Sequence, residues 1–186
     1  MPRWWRTAST SSRRAPRPDS APGRFAEAEV IVAHFPPDEL ERLSGEEATA
    51  AAAAEAIARA DWLHFSGHAQ ADDGWKSHLA LAGDDILDVA AVLALPSVPR
   101  VVVLNACETG RQSGASSLGI AQAFVAAGSE AVVATSRTVA DRVALDFAEA
   151  FYAGPPSPFA QRYRTAVLAL KRQGEDDAAS YRLLTQ

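Results

Sequence analysis

The chain has 186 residues, 48% hydrophobic and 22% charged, the make-up of one globular domain with a substantial core. Its net charge of −5 is uneven: residues 1–24 hold six arginines and one acid and carry +5, so the rest carries −10. An acidic body has no basic face to neutralise phosphates, which argues against nucleic acid as the main partner. A single cysteine excludes an intrachain disulfide framework and a cysteine-rich zinc site. It suits a reducing compartment, and no apolar run approaches the ~20 residues that span a bilayer. The expectation is a cytoplasmic protein with no membrane partner.

Residues 1–24 are rich in Arg, Ser and Pro, lack an apolar core for a secretory signal, and read as a disordered tail. Ordered structure is expected from Phe25, as a short helix stopped by Pro36 and Pro37. Leu40–Leu43 reads as a short strand. Ser44 with Glu47 resembles a capping box ahead of an alanine-rich helix over 46–60. Residues 61–65 read as a strand, 66–78 as a loop, 79–82 as a strand and 83–85 as a turn. A helix over 88–95 ends at Pro96. Residues 100–106 contain four consecutive apolar residues, three of them β-branched, which suits a parallel strand buried on both faces. Helices follow over 116–127, with Gly128 as stop signal, and over 141–152 and 158–173. A further buried strand is expected over 131–135, and 178–184 is open between helix and strand. Strands alternating with helices imply βαβ units and a three-layer α/β/α domain around a mostly parallel sheet.

In such sheets ligands gather at the carboxyl ends of the strands. His68 and Cys107 both lie just past such ends. A thiolate needs a nearby base or cation to form, so this thiol and imidazole suit a cysteine hydrolase. The bland alternatives are a small buried thiol and a loop histidine. His64 has no partner spacing for a metal and reads as a core histidine. Asp72, Asp73, Asp84 and Asp85 lack a calcium-loop pattern and read as solvated turns. Ser117 lies too far beyond its strand for a serine-hydrolase elbow, and no phosphate-binding glycine motif is present.

The runs His64–His68 and Val102–Gly110 resemble the two catalytic motifs of the CHAT domain, a family of caspase-like cysteine proteases of bacteria and other lineages. Ser44–Thr49, Ser116–Gly119, Ala123–Phe124, Ala126–Gly128, Asp141 and Phe151–Tyr152 extend the likeness from about Phe25 to the C-terminus. The resemblance implies a caspase-like fold, a CHAT-like domain over 25–186, cleavage of protein or peptide substrates, and no metal or organic cofactor. His68 matches the catalytic histidine and Cys107 the nucleophile, with backbone N–H groups of Ala69 and Cys107 toward the oxyanion. Asp141 matches an acidic position that in the separase relatives faces a basic P1 side chain; it also suits a helix cap. Arg137 stands where the family has a tryptophan of the substrate cleft, and would favour an acidic P1 residue. Ala69 stands where the family usually has glycine, which adopts φ > 0 more readily than alanine. Family members carry more sheet ahead of this region, so N-terminal strands are expected to be lacking. The resemblance also implies a regulatory helical-repeat or sensor partner. A catalytically inactive interaction module is the alternative reading.

Overall fold

The computed structural model describes residues 4–8, 21–70, 76–106, 119–137, 139–155 and 157–186, with side chains from residue 27 onward except at 70 and 106. Cys107 lies outside the described residues. Six strands form the main sheet: β1 (Trp4–Ala8), β2 (Leu40–Ser44), β3 (Trp62–Gly67), β7 (Val101–Ala106), β8 (Ala131–Thr135) and β9 (Tyr181–Thr185), in spatial order β2-β1-β3-β7-β8-β9. The first five run parallel and β9 returns antiparallel on β8. A small antiparallel sheet, β4 (Ala69–Gln70), β5 (His78–Ala80) and β6 (Ile86–Asp88), follows β3.

Helices cover both faces, because the strand residues alternate between two apolar clusters. On one face Leu63, Phe65, Val102, Leu104, Val132 and Ala134 pack with α2 (Ala50–Arg59), α3 (Val89–Leu93) and α4 (Ile120–Ala127). On the other, Val103, Val133 and Tyr181 pack with α1 (Ala21–Val32), α5 (Asp141–Tyr152) and α6 (Phe159–Arg172). Phe147 of α5 stacks on Tyr181, ring centroids 4.0 Å apart and planes 4° from parallel. The expected three-layer architecture with a mostly parallel sheet is present. The chain passes from β1 outward to β2, then back across to β3 and on to β7 and β8. The direction of winding therefore reverses between β1 and β3, the place at the carboxyl ends of the strands where open α/β sheets bind ligands.

Several local expectations change. In place of a tail through residue 24 and missing N-terminal strands, Trp4–Ala8 is a strand hydrogen-bonded to both β2 and β3, and α1 begins at Ala21. Trp and Thr suit a pleated strand, a local signal that the arginine-rich composition of the whole segment outweighed. Ser44 is the last residue of β2 and makes no side-chain cap bond; Thr49 caps α2, its Oγ1 accepting from the Ala52 N–H at 3.2 Å. Asp85 accepts from the Ala50 N–H at 2.8 Å and ties the β5–β6 turn to that same helix start. The open segment near 178–184 is β9, entered by a short 3-10 turn. Among the described residues no helix is long and apolar enough to cross a membrane.

Candidate active site

The parallel pairing of β3 with β7 sets the geometry. Trp62 pairs with Val101 and the register runs without a break to Gly67 opposite Ala106. Gly67 precedes His68 and Ala106 precedes Cys107. The two chains therefore leave the sheet from directly opposed positions on neighbouring strands, which lie about 4.8 Å apart. His68 itself is exposed, and its carbonyl accepts from the Ala80 N–H at 2.9 Å, which pins it to the small sheet.

Ala69 is half-buried in β4, opposite Leu79. The Ala80-to-His68 bond flanks that pair, so Ala69 and Leu79 form the wide, non-hydrogen-bonded kind. The Ala69 N–H therefore points away from β5. β4 is also the outer strand of its sheet, so the ladder leaves this N–H unused. A strand is extended backbone that alanine adopts readily, so the exchange of glycine for alanine costs no left-handed conformation here.

Arg137 and Asp141 follow β8 at the same edge of the main sheet. Arg137 is exposed, and its Nε donates to Ser180 Oγ at 2.7 Å, tying it to the turn before β9. Asp141 is half-buried in the first turn of α5, where its charge complements the helix dipole. The N-cap is Ala140, without a side-chain bond, so Asp141 is not the cap its position suggested.

Beneath this edge lies a buried polar network that the sequence motifs do not reveal. Glu27 of α1 is 2% exposed. Its Oε1 accepts from His64 Nε2 at 2.8 Å and from Asn105 Nδ2 at 2.6 Å. Its Oε2 accepts from the Ser66 hydroxyl. An ionised carboxylate only accepts, so against ionised Glu27 it is His64 Nε2 that carries the hydrogen; His64 Nδ1 meets the Tyr152 hydroxyl at 2.8 Å. The second amide hydrogen of Asn105 goes to the Ala144 carbonyl at 2.9 Å, and its Oδ1 accepts from Tyr181 at 2.9 Å. Burial first, then the Glu27 carboxylate and Asp177, push the Tyr181 phenol well above its usual range. His64 is thus a buried core histidine, 2% exposed. Its partner Glu27 had no signal to set it apart from Glu29, the other acid of the same helix.

The CHAT domain family matches residues 7–180. No curated protein matches the sequence. Among solved structures, the complex of Porphyromonas gingivalis RgpB pro- and mature domains superposes with a TM-score of 0.69 at 13% identity, over 99% of this chain and 47% of the other. The Arg-specific cysteine proteinase gingipain R gives 0.68 at 12% identity, over 99% and 46%. A third structure, described as a protease, gives 0.63 at 10% identity, over 98% and 47%. The fold is shared with these proteins, and the chain spans less than half the length of each.

Proposed function

The chain belongs to the CHAT domain family, and from that premise we propose that it is a cysteine endopeptidase working through His68 and Cys107. The observation that carries the reading is the β3–β7 register, in which the residues preceding His68 and Cys107 are direct partners. His68 takes the thiol proton, and the thiolate attacks the peptide carbonyl. The resulting oxyanion accepts from the backbone N–H groups of Ala69 and Cys107. The His68 imidazolium then protonates the departing amine, and water hydrolyses the thioester to release the acid and free thiol.

Asp141 supports a preference for a basic P1 side chain: it is a half-buried carboxylate at the mouth of the same edge, and it makes no side-chain hydrogen bond among the described residues. The Arg-specific proteinase among the structural neighbours agrees with that direction. Arg137 is already engaged by Ser180, which argues against its selecting an acidic residue.

The test is labelling with a peptidyl acyloxymethyl ketone, read by intact mass. Wild-type protein takes one label at Cys107, and Cys107→Ser and His68→Ala take none. Folded wild-type protein that stays unlabelled moves the reading to a catalytically inactive interaction module. Arg137 at the usual tryptophan position is the feature that favours that second reading. A basic-P1 preference that survives Asp141→Asn rejects the pocket assignment.

A further inference from the structure

We infer that Glu27 is a positioning residue of this site, an inference that rests on the reading just given. Its carboxylate binds donors from two strands at once: His64 and Ser66 of β3, and Asn105 of β7. Ser66 and Asn105 are register partners, and each stands two residues before a member of the proposed dyad. The carboxylate on α1 therefore clamps together the two strand ends from which His68 and Cys107 depart. Sliding or parting those ends breaks bonds to a buried charge.

The placement argues for this role over plain stability. One level deeper on the same face, Val103 and Val133 pack as aliphatic core beside His64, the register partner of Val103. At the last level before the site all three strands present buried polar residues, Ser66, Asn105 and Thr135. Buried charged groups are frequently no better for stability than aliphatic ones of the same volume, so this level is polar where precise geometry matters. The three donors His64, Ser66 and Asn105 are all buried, and Asn105 is itself held by Ala144 and Tyr181. The clamp is thereby tied to α5 and β9 as well.

The test compares wild type, Glu27→Gln and the milder Ser66→Ala. Two reagents act on the only cysteine. Iodoacetamide, applied at about pH 10 where a thiol ionises without help from a base, requires only accessibility, whereas the acyloxymethyl ketone, applied near neutrality, also requires the dyad geometry. In Glu27→Gln the maximal ketone labelling rate falls about 10- to 100-fold, the scale of a misplacement near 1 Å, with half-saturation and the iodoacetamide rate within about twofold. Ser66→Ala gives a smaller fall in the same direction. Glu27→Gln labelled at the wild-type rate overturns the inference, as does a proportional loss with both reagents, which marks a merely structural role. If Glu27→Gln does not fold, Ser66→Ala decides by the same split. A second readout uses ¹³C-histidine NMR: alkylating Cys107 shifts the His68 signal in wild type and leaves it unmoved in Glu27→Gln. If wild type resists the ketone, the protease reading fails and this signal alone decides. A response retained in Glu27→Gln, or absent in wild type, overturns the inference.

Discussion

Replacing Asn105 with alanine removes three hydrogen bonds from one buried position. Glu27 loses a donor at 2.6 Å, the Ala144 carbonyl loses one at 2.9 Å, and the Tyr181 hydroxyl loses its acceptor at 2.9 Å. The orphaned Tyr181 hydroxyl costs about 1–3 kcal/mol, and the bond lost at the charged Glu27, which keeps His64 and Ser66, about 1.5–3 kcal/mol. Because the groups share one cavity the costs do not simply add, and the expected loss is about 3–5 kcal/mol. At about 2–4 °C per kcal/mol for a chain of this size, melting falls by roughly 10 °C. Tyr181→Phe removes only a donor to Asn105 Oδ1 and costs about 1–2 kcal/mol. In the Asn105→Ala background the same change deletes a hydroxyl that is already orphaned, so its cost vanishes or reverses. Urea unfolding of the four proteins measures this as a coupling of about 1–2 kcal/mol, against a scatter near 0.5 for independent sites. Additive losses within that scatter would refute the network as a physical unit.

The remaining predictions follow from single contacts. Tyr181 has a folded-state pKa raised by burial, so its stabilising contribution is complete below about pH 10, the unfolded value, and is lost as pH rises beyond it. Alkaline unfolding followed by phenolate absorbance therefore becomes shallower in Tyr181→Phe, and an unchanged profile rejects the assignment. Thr49→Ala destabilises by about 1 kcal/mol through the lost cap on α2, whereas Ser44→Ala, at a residue without a cap bond, leaves the denaturation midpoint in place. Gly128 has φ +120° and the nearest atom to an added Cβ is Val98 Cγ2 at 4.0 Å. Gly128→Ala therefore costs about 1–2 kcal/mol from backbone strain rather than crowding, and Val98→Ala does not rescue it.

What the sequence revealed follows from where the signals are local. The apolar runs at Val101–Ala106 and Ala131–Thr135 and the helix at Asp141–Tyr152 were legible to the residue or nearly so, because continuous burial and a 3.6-residue period need no partner to be recognised. His68 and Cys107 stood out as candidates because each directly follows a strand-like run in the sequence. Glu27 was not. Its importance depends on donors 37, 39 and 78 residues away, which only the folded sheet brings to one carboxylate. Asn105 was hidden inside the motif that flagged Cys107. The β4 strand was read as loop because two residues are too few for an alternating pattern, and Trp4–Ala8 as tail because its strand-formers Trp4, Trp5 and Thr7 stood among arginines and prolines.

The place of β1 has a consequence for how the polypeptide can be cut. It is bonded on both sides, residue for residue from Trp4 to Ala8, with Leu40–Ser44 on one flank and Trp62–Ser66 on the other. Removing an outer strand shortens a sheet. Removing this one splits it, leaving β2 without a neighbour and baring the β3 edge nearest to His68. A fragment beginning at Phe25, where composition alone would place the boundary, exposes two unpaired strand edges in place of one continuous surface, and such edges seek partners in other molecules. Such a fragment is expected to self-associate on expression, and light scattering beside the full chain would show it.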